Sequence, residues 1–349
     1  MDSIDLRSDT VTWPTPEMRE AMYRAEVGDD VHGEDPTVNR LEELAAKRLG
    51  KEAALLVSSG TQGNLIAILA HCNRGDEMIV GRSAHTFINE VAGASGLGGI
   101  SSYTVPIQPN GTLALDDIRA AIRDPRDIHY PMTRLVCLEN TNGAVGGMPL
   151  SIQYTRSVRE LCREYGLKLH IDGARIWNAA VALDCTVQDL VAPADSVSFC
   201  LSKGLCAPAG SILCGSHDFV EHGRRLRKML GGGMRQIGIL AAAGIIAIEK
   251  MTTRLQVDHS NARRLAEGLS DIPDIHLDLE QVQTNMVFFQ LDESGSIDAT
   301  QMAEILAQEH NVKLDILGHR SFRAVTHYWI TPERIETALE AIQQVWGTR

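Results

Sequence analysis

The chain has 349 residues, 44% of them apolar, and a formal charge of -12. That length exceeds the roughly 100–200 residues of a typical domain, so one large domain plus a smaller one is expected, and the acidic balance excludes a nucleic-acid surface, whose affinity comes from clustered Lys and Arg. No apolar leader opens MDSIDLRSDT, and the longest apolar run, 237–248, is too short to cross a bilayer, so a soluble cytoplasmic protein without a membrane partner is the expectation.

In chain order, the first strong element is a helix in DPTVNRLEELAAKRLG. Asp35 suits its N-cap, Pro36 its first turn and Gly50 its stop, while Val38, Leu41, Ala45 and Leu49 form one apolar stripe. Short apolar runs recur at 53–57, 78–80, 135–138, 169–171, 197–201 and 212–214 and read as buried strands, with helical stretches such as 62–70 and 158–165 between several of them. Strands alternating with helices predict βαβ units around a mostly parallel sheet, with any ligand beyond the carboxyl ends of the strands. A long helix near 236–252 precedes a domain boundary placed at about residue 250. Beyond it, strands at 285–291 and 322–330, a helix at 299–309 and a capped helix starting at Thr331 and Pro332 make a small C-terminal α+β domain. The seven cysteines show no CxxC pairing, so they read as buried free thiols and no metal site is assigned.

Three strand ends carry chemistry. In CLSKGLCAP, Lys203 closes an apolar strand; at the mouth of such a sheet its amine is partly desolvated, which makes it a better nucleophile toward a carbonyl, although a strand-end lysine can also be merely exposed. In LKLHIDGAR, Asp172 is aimed at the same edge, where a carboxylate could face a pyridine nitrogen or simply cap the following helix. In ALLVSSGTQGN, Ser58, Ser59, Gly60 and Thr61 run into a helix whose N-terminus suits a phosphate, a feature that is weak alone because Ser-Gly-Thr turns are common. Together they supply a phosphate cradle, an acid and a lysine in the order used by aminotransferase-like enzymes that depend on pyridoxal 5'-phosphate (PLP).

DLRSDTVT (5–12), GDDVHGEDPTV (28–38), SGTQGN (59–64), HIDGAR (170–175), SKGLCAP (202–208) and GGGMRQ (231–236) together resemble the signatures of the threonine aldolase family, over nearly the whole chain. The resemblance implies a fold type I PLP enzyme, assembled as a homotetramer (a dimer of dimers) with active sites at interfaces, that cleaves β-hydroxy-α-amino acids such as L-threonine and L-allo-threonine to glycine and an aldehyde. It implies that Lys203 carries the cofactor as a Schiff base, that Asp172 pairs with the pyridine nitrogen, that Gly60, Thr61 and Ser202 hold the phosphate, and that His85 stacks on the ring. Ser8, Arg175 and Arg323 fall to the substrate carboxylate, for which guanidinium offers a bidentate match; Arg175 could instead pair with a nearby carboxylate, and Ser8 could merely cap a turn.

His129, in DIHYP, falls where the family carries a second active-site histidine and is a candidate base for the β-hydroxyl, with His85 as its rival. In the basic run GRRLRKMLGGGMRQ, Lys228 and Arg235 are expected to reach the phosphate of a neighbouring subunit, and Arg224, Arg225 and Arg227 to lie on a solvated helix face. Two departures from the family pattern stand out: Asn142 replaces a histidine in ENTNGAVGG, and Asn89 replaces an aromatic residue after His85. A β-eliminating lyase of the same fold and a cofactor-holding protein without turnover are the alternatives.

Overall fold

The apolar runs become strands of one large sheet in the computed structural model, which describes residues 3–347. Its strands are β2 (Ala53–Val57), β3 (Glu77–Gly81), β4 (Ser101–Val105), β5 (Thr133–Glu139), β6 (Lys168–Asp172), β7 (Ser196–Cys200) and β8 (Ser211–Gly215), in the order β2-β8-β7-β6-β5-β3-β4. From β4 through β7 all pairs are parallel, whereas β8 runs antiparallel to both β7 and β2. Helices cover the faces, so β3, β7 and β8 are buried along their whole length.

A second unit is built on a four-stranded antiparallel sheet of β9 (Ile275–His276), β10 (Met286–Leu291), β12 (Asp315–Gly318) and β13 (Ser321–Val325), in the order β12-β13-β10-β9. The chain start belongs with this unit: β1 (Ile4–Asp5) pairs in parallel with β11 (Val312–Lys313), and Ile4 and Leu6 are buried among Val287, Phe289, Leu314 and Phe322. The N-terminal segment thereby crosses from the second sheet to the carboxyl edge of the first.

The helix Pro36–Leu49 shows how local sequence fixes this frame. Asp35 Oδ1 accepts from the N–H groups of Thr37 (3.1 Å) and Val38 (3.0 Å), Gly50 stops the helix at φ +62°, and Val38, Leu41, Ala45 and Leu49 are wholly buried in the main core. Each large side chain buried in this way contributes about 1.5–3 kcal/mol. The helix foreseen at 62–70 spans Gly60–His71, the one foreseen at 158–165 spans Ile152–Glu164, and the one foreseen at 236–252 spans Gly238–Glu249. The strand expected over 322–330 ends at Val325, because 326–330 turns to reach the final helix, Pro332–Gly347. All seven cysteines are free; six are buried and Cys185 is half-buried. Among the described residues no helix is long and apolar enough to cross a membrane.

Candidate active site

At the carboxyl edge of the large sheet a cavity of about 540 Å³ collects residues from widely separated places in the sequence. The N-terminal segment gives Ser8 and Thr10; the turn after β3 gives His85 and Asn89; the end of β5 gives Glu139. The ends of β6 and β7 give Asp172, Arg175 and Lys203, and the second sheet gives Phe288, Leu317 and Arg323. Parallel strands place their carboxyl ends side by side, which is why residues so distant in sequence meet here.

Lys203 is half-buried, and among the described residues its amine has no hydrogen-bond or ion-pair partner. Its backbone carbonyl accepts from Thr12 Oγ1 (2.8 Å), which anchors the turn to the N-terminal segment. Asp172 is buried; its Oδ2 accepts from Asn64 Nδ2 (2.8 Å) and its Oδ1 from Ala174 N (3.2 Å).

His85 Nδ1 bonds Glu90 Oε1 at 2.9 Å, and this bond, followed by the field of Asp172, raises the imidazole above its ordinary value. Burial and the charge of Asp172 raise Glu90 in turn. Glu139 is pushed up to about 7, mainly by burial and then by Asp172, yet it accepts from the N–H groups of Gly143 (2.9 Å) and His85 (2.9 Å) and from Asn142 Nδ2 (2.9 Å). Those three donors make it the knot that holds the turns after β3 and β5 together. Asn142, one of the two departures, therefore acts on Glu139, while Asn89, the other, lines the cavity.

Arg175 lines the cavity and also makes the alternative ion pair weighed from sequence. Its Nε and Nη2 donate to Asp9 Oδ2 (2.8 Å) and Oδ1 (2.5 Å). Although burial alone would raise Asp9, Arg175 outweighs it and holds the carboxyl at about 2. The pair uses one edge of the guanidinium and leaves Nη1 on the side of Gly143, where a Cβ would lie 3.9 Å from it. Arg323 bonds Asp315 Oδ2 (2.7 Å), and its buried Nε has no partner among the described residues. Ser8 caps the 3-10 turn after it, its Oγ accepting from Thr10 N (3.2 Å), and faces the cavity as well.

Gly60, Thr61 and Ser202 do not line this cavity. Gly60 opens the helix Gly60–His71 so close to β7 that a Cβ would lie 3.0 Å from Cys200 Sγ. Ser59 Oγ caps Gln62 N, and the first N–H groups of the helix, Gly60 and Thr61, have no intrahelical acceptor.

His129 is outside the cavity: its side chain is 84% exposed and bonds Asp127 Oδ1 at 2.8 Å. Lys228 and Arg235 are also outside, Lys228 in a separate basic groove and Arg235 on Asp29 (2.7 Å). The solvated face expected for the basic run is corrected at two positions. Arg227 is buried and bonds Asp30 Oδ2 (2.7 Å) and the Leu56 carbonyl (2.7 Å), and Arg224 pairs with the buried Glu42. The 13-residue helix His217–Met229 turns that side inward, so of the three only Arg225 keeps the expected exposure.

Sequence reading missed Asp9, Asn64, Glu90 and Glu139. Asp9, Asn64 and Glu139 lie within or beside motifs already singled out, and Glu139 ends a strand in the same way as Asp172. Glu90 carried no signal of its own.

Known proteins resemble this chain in sequence and fold. Residues 5–292 match the family model described as Beta-eliminating lyase. The low-specificity L-threonine aldolase 1 of Arabidopsis thaliana is 49% identical over 100% of this chain and 98% of its own, and the low specificity L-threonine aldolase of Escherichia coli K12 is 45% identical over 95% and 96%. The solved threonine aldolase of Leishmania major superimposes with a TM-score of 0.82 at 22% identity, covering 98% of this chain and 99% of that one. Another solved structure of this fold, at a TM-score of 0.74 and 19% identity, contains PLP. The chain folds as a fold type I PLP-dependent enzyme and belongs to the β-eliminating lyase family, among the low-specificity L-threonine aldolases.

Proposed function

We propose that this protein is a PLP-dependent aldehyde-lyase that cleaves L-threonine, L-allo-threonine and related β-hydroxy-α-amino acids to glycine and an aldehyde, reversibly. The observation that carries this reading is the meeting of Lys203, Asp172, His85 and Arg175 in one cavity at one sheet edge. The donor set fits PLP: among the described residues, an amine without a partner, a buried carboxylate and a helix N-terminus with free N–H groups. Lys203 would hold the aldehyde carbon as a Schiff base, Asp172 the ring nitrogen, His85 the ring face, and Gly60, Thr61 and Ser202 the phosphate. Bound PLP supplies an electron sink for the charge that Cα acquires when its bond to Cβ opens.

The protein's own residues do the rest. Arg175, steadied by Asp9, presents Nη1 to the substrate carboxylate, with Arg323 and Ser8 lining the same cavity. Fixing the carboxylate fixes the rotation about Cα, and with it which bond breaks. His85 keeps its Nδ1 proton on Glu90, so Nε2 is the atom left to take the β-hydroxyl proton, directly or through water. His129 would serve this role only at a neighbouring subunit's cavity.

We also place the protein in the cytoplasm as a homotetramer with interfacial sites, with Lys228 and Arg235 reaching a neighbour's phosphate. Phe87, Ile88, Val91 and Leu97, exposed close to His85, support an interface there. The domains are taken as 1–250, with the N-terminal segment reaching the site, and 251–349.

The test is to supply the purified protein with PLP and offer L-threonine, L-allo-threonine and, separately, a tyrosine or cysteine derivative. Glycine and acetaldehyde in equal amounts from either threonine are expected. Pyruvate and ammonia from the third substrate without acetaldehyde would establish β-elimination instead.

A further inference from the structure

One buried amide joins two carboxylates of the site. Asn64, in the helix Gly60–His71, is 1% exposed and has every hydrogen-bonding position filled. Its Nδ2 donates to Asp172 Oδ2 (2.8 Å) and to Glu90 Oε1 (2.8 Å); its Oδ1 accepts from Ser198 Oγ (2.7 Å) and His170 Nε2 (3.2 Å). The carboxylates can only accept, so the amide nitrogen must face them and the oxygen must face Ser198 and His170.

The donors to that oxygen are ordered too. Burial lowers His170 to about 3 and His71 to about 4, so both rings are neutral and each has one N–H. With the His170 proton on Nε2, its Nδ1 accepts from Ser196 Oγ (2.8 Å), and that oxygen accepts from His71 Nε2 (2.8 Å). A one-way chain of donors thus runs from His71 to Asp172. Glu90 Oε1 also receives His85 Nδ1 (2.9 Å), and one polar side-chain atom from each of His85, Glu90 and Asp172 lies within 4.8 Å of the other two.

We propose that Asn64 and Glu90 are positioning residues for the cofactor ring, the Asn64 amide fixing Asp172 toward the ring nitrogen and Glu90 toward the imidazole of His85. This rests on the PLP reading above. The charged and titratable groups facing Asp172 are Glu90 and His85 from the segment after β3, Glu139 and Cys137 from β5, and Lys203 after β7. In that company the Asn64 N–H is the donor that holds Asp172 Oδ2, and its loss frees the acid to rotate away from the ring nitrogen. The ring nitrogen then loses its proton more readily.

The experiment loads wild type, Asn64→Leu and Ser198→Ala with PLP labelled with 15N at the pyridine nitrogen and follows that resonance against pH by NMR. Wild type should show a protonated nitrogen through neutrality. In Asn64→Leu the titration should fall by at least about one pH unit, the shift that one tenfold factor carries, with kcat reduced more than KM is raised. Ser198→Ala removes one of two donors to Oδ1 without touching the cavity, and should shift the same way by less. If Asn64→Leu does not fold, Ser198→Ala decides alone. Wild-type resonance and pH dependence in every folded variant would overturn the proposal. Wild type that takes up no PLP would refute both this inference and the cofactor reading, whereas wild type that binds PLP but releases no acetaldehyde would sink only the aldolase reading and leave the NMR comparison decisive.

Discussion

In the proposed reaction Arg175 would orient the substrate carboxylate with a guanidinium whose other edge Asp9 already holds, in a pair that is almost wholly buried. Removing one partner of such a pair strands the other charge, so Asp9→Ala should cost about 3–5 kcal/mol in denaturant unfolding. It should also raise KM for the amino acid more than it lowers kcat. Asp9 sits at about 2 in the fold against an ordinary 3.8, a depressed acid, so its contribution is complete above 3.8 and is lost as pH falls from there toward 2. Ser8 and Arg175 were legible in their motifs. Asp9 was not, because its role depends on a partner 166 positions away that only folding brings to it. The same holds for Asn64 and Glu90, whose meaning lies in the groups they join.

At the scale of elements, Asp35 shows how one side chain can serve several segments. Its Oδ1 caps the helix Pro36–Leu49, as its sequence position indicated, while Oδ2 accepts from Gly28 N (3.2 Å) and Gly238 N (2.9 Å). Gly28 can make that approach because it has no side chain: a Cβ there would lie 2.2 Å from the Glu34 carbonyl oxygen. Asp35→Ala should therefore destabilise the protein by clearly more than the roughly 1 kcal/mol usual for a lost N-cap, measured as a drop in the denaturation midpoint. The strands with continuous apolar runs were legible for a simple reason: both of their faces are covered. Strand β4 was not, since SSYTV lies at the sheet edge with most of its residues only half-buried. Nor could sequence give the reversed direction of β8 or the pairing of β1 with β11, since apolar patterning fixes which side chains are buried but not which strand lies alongside.

For the whole molecule, buried titratable groups set the acid limit of the fold. Burial lowers His170 to about 3 and His71 and His259 to about 4, against an ordinary 6.5. The unfolded chain takes up those protons first, so their contribution to stability is lost as pH falls from 6.5 toward 4 and below. Glu139 acts in the opposite sense: raised to about 7 by burial and Asp172, it contributes fully below its ordinary 4.5, and that contribution is lost as pH rises toward 7. Asp258, raised to about 6, and Glu42 and Glu90, also raised by burial, share that sense, so the histidines' part of the decline in thermal midpoint below pH 6.5 is isolated by removing one of them. A Tm series across pH checks this, and His170→Phe should flatten the decline. The two-unit architecture with a mostly parallel sheet was legible from alternating strand and helix patterns; the way the N-terminal segment ties the two units across the cavity was not.

The central claim is that Lys203 is the amine that binds the cofactor at this sheet edge. Borohydride reduction of the PLP-loaded protein, followed by mass mapping of its peptides, tests it most directly. A pyridoxyl adduct on Lys203 in the wild type, and no acetaldehyde release from L-allo-threonine by Lys203→Ala, is the predicted result. An adduct on a different lysine, or undiminished acetaldehyde release from Lys203→Ala, would contradict it.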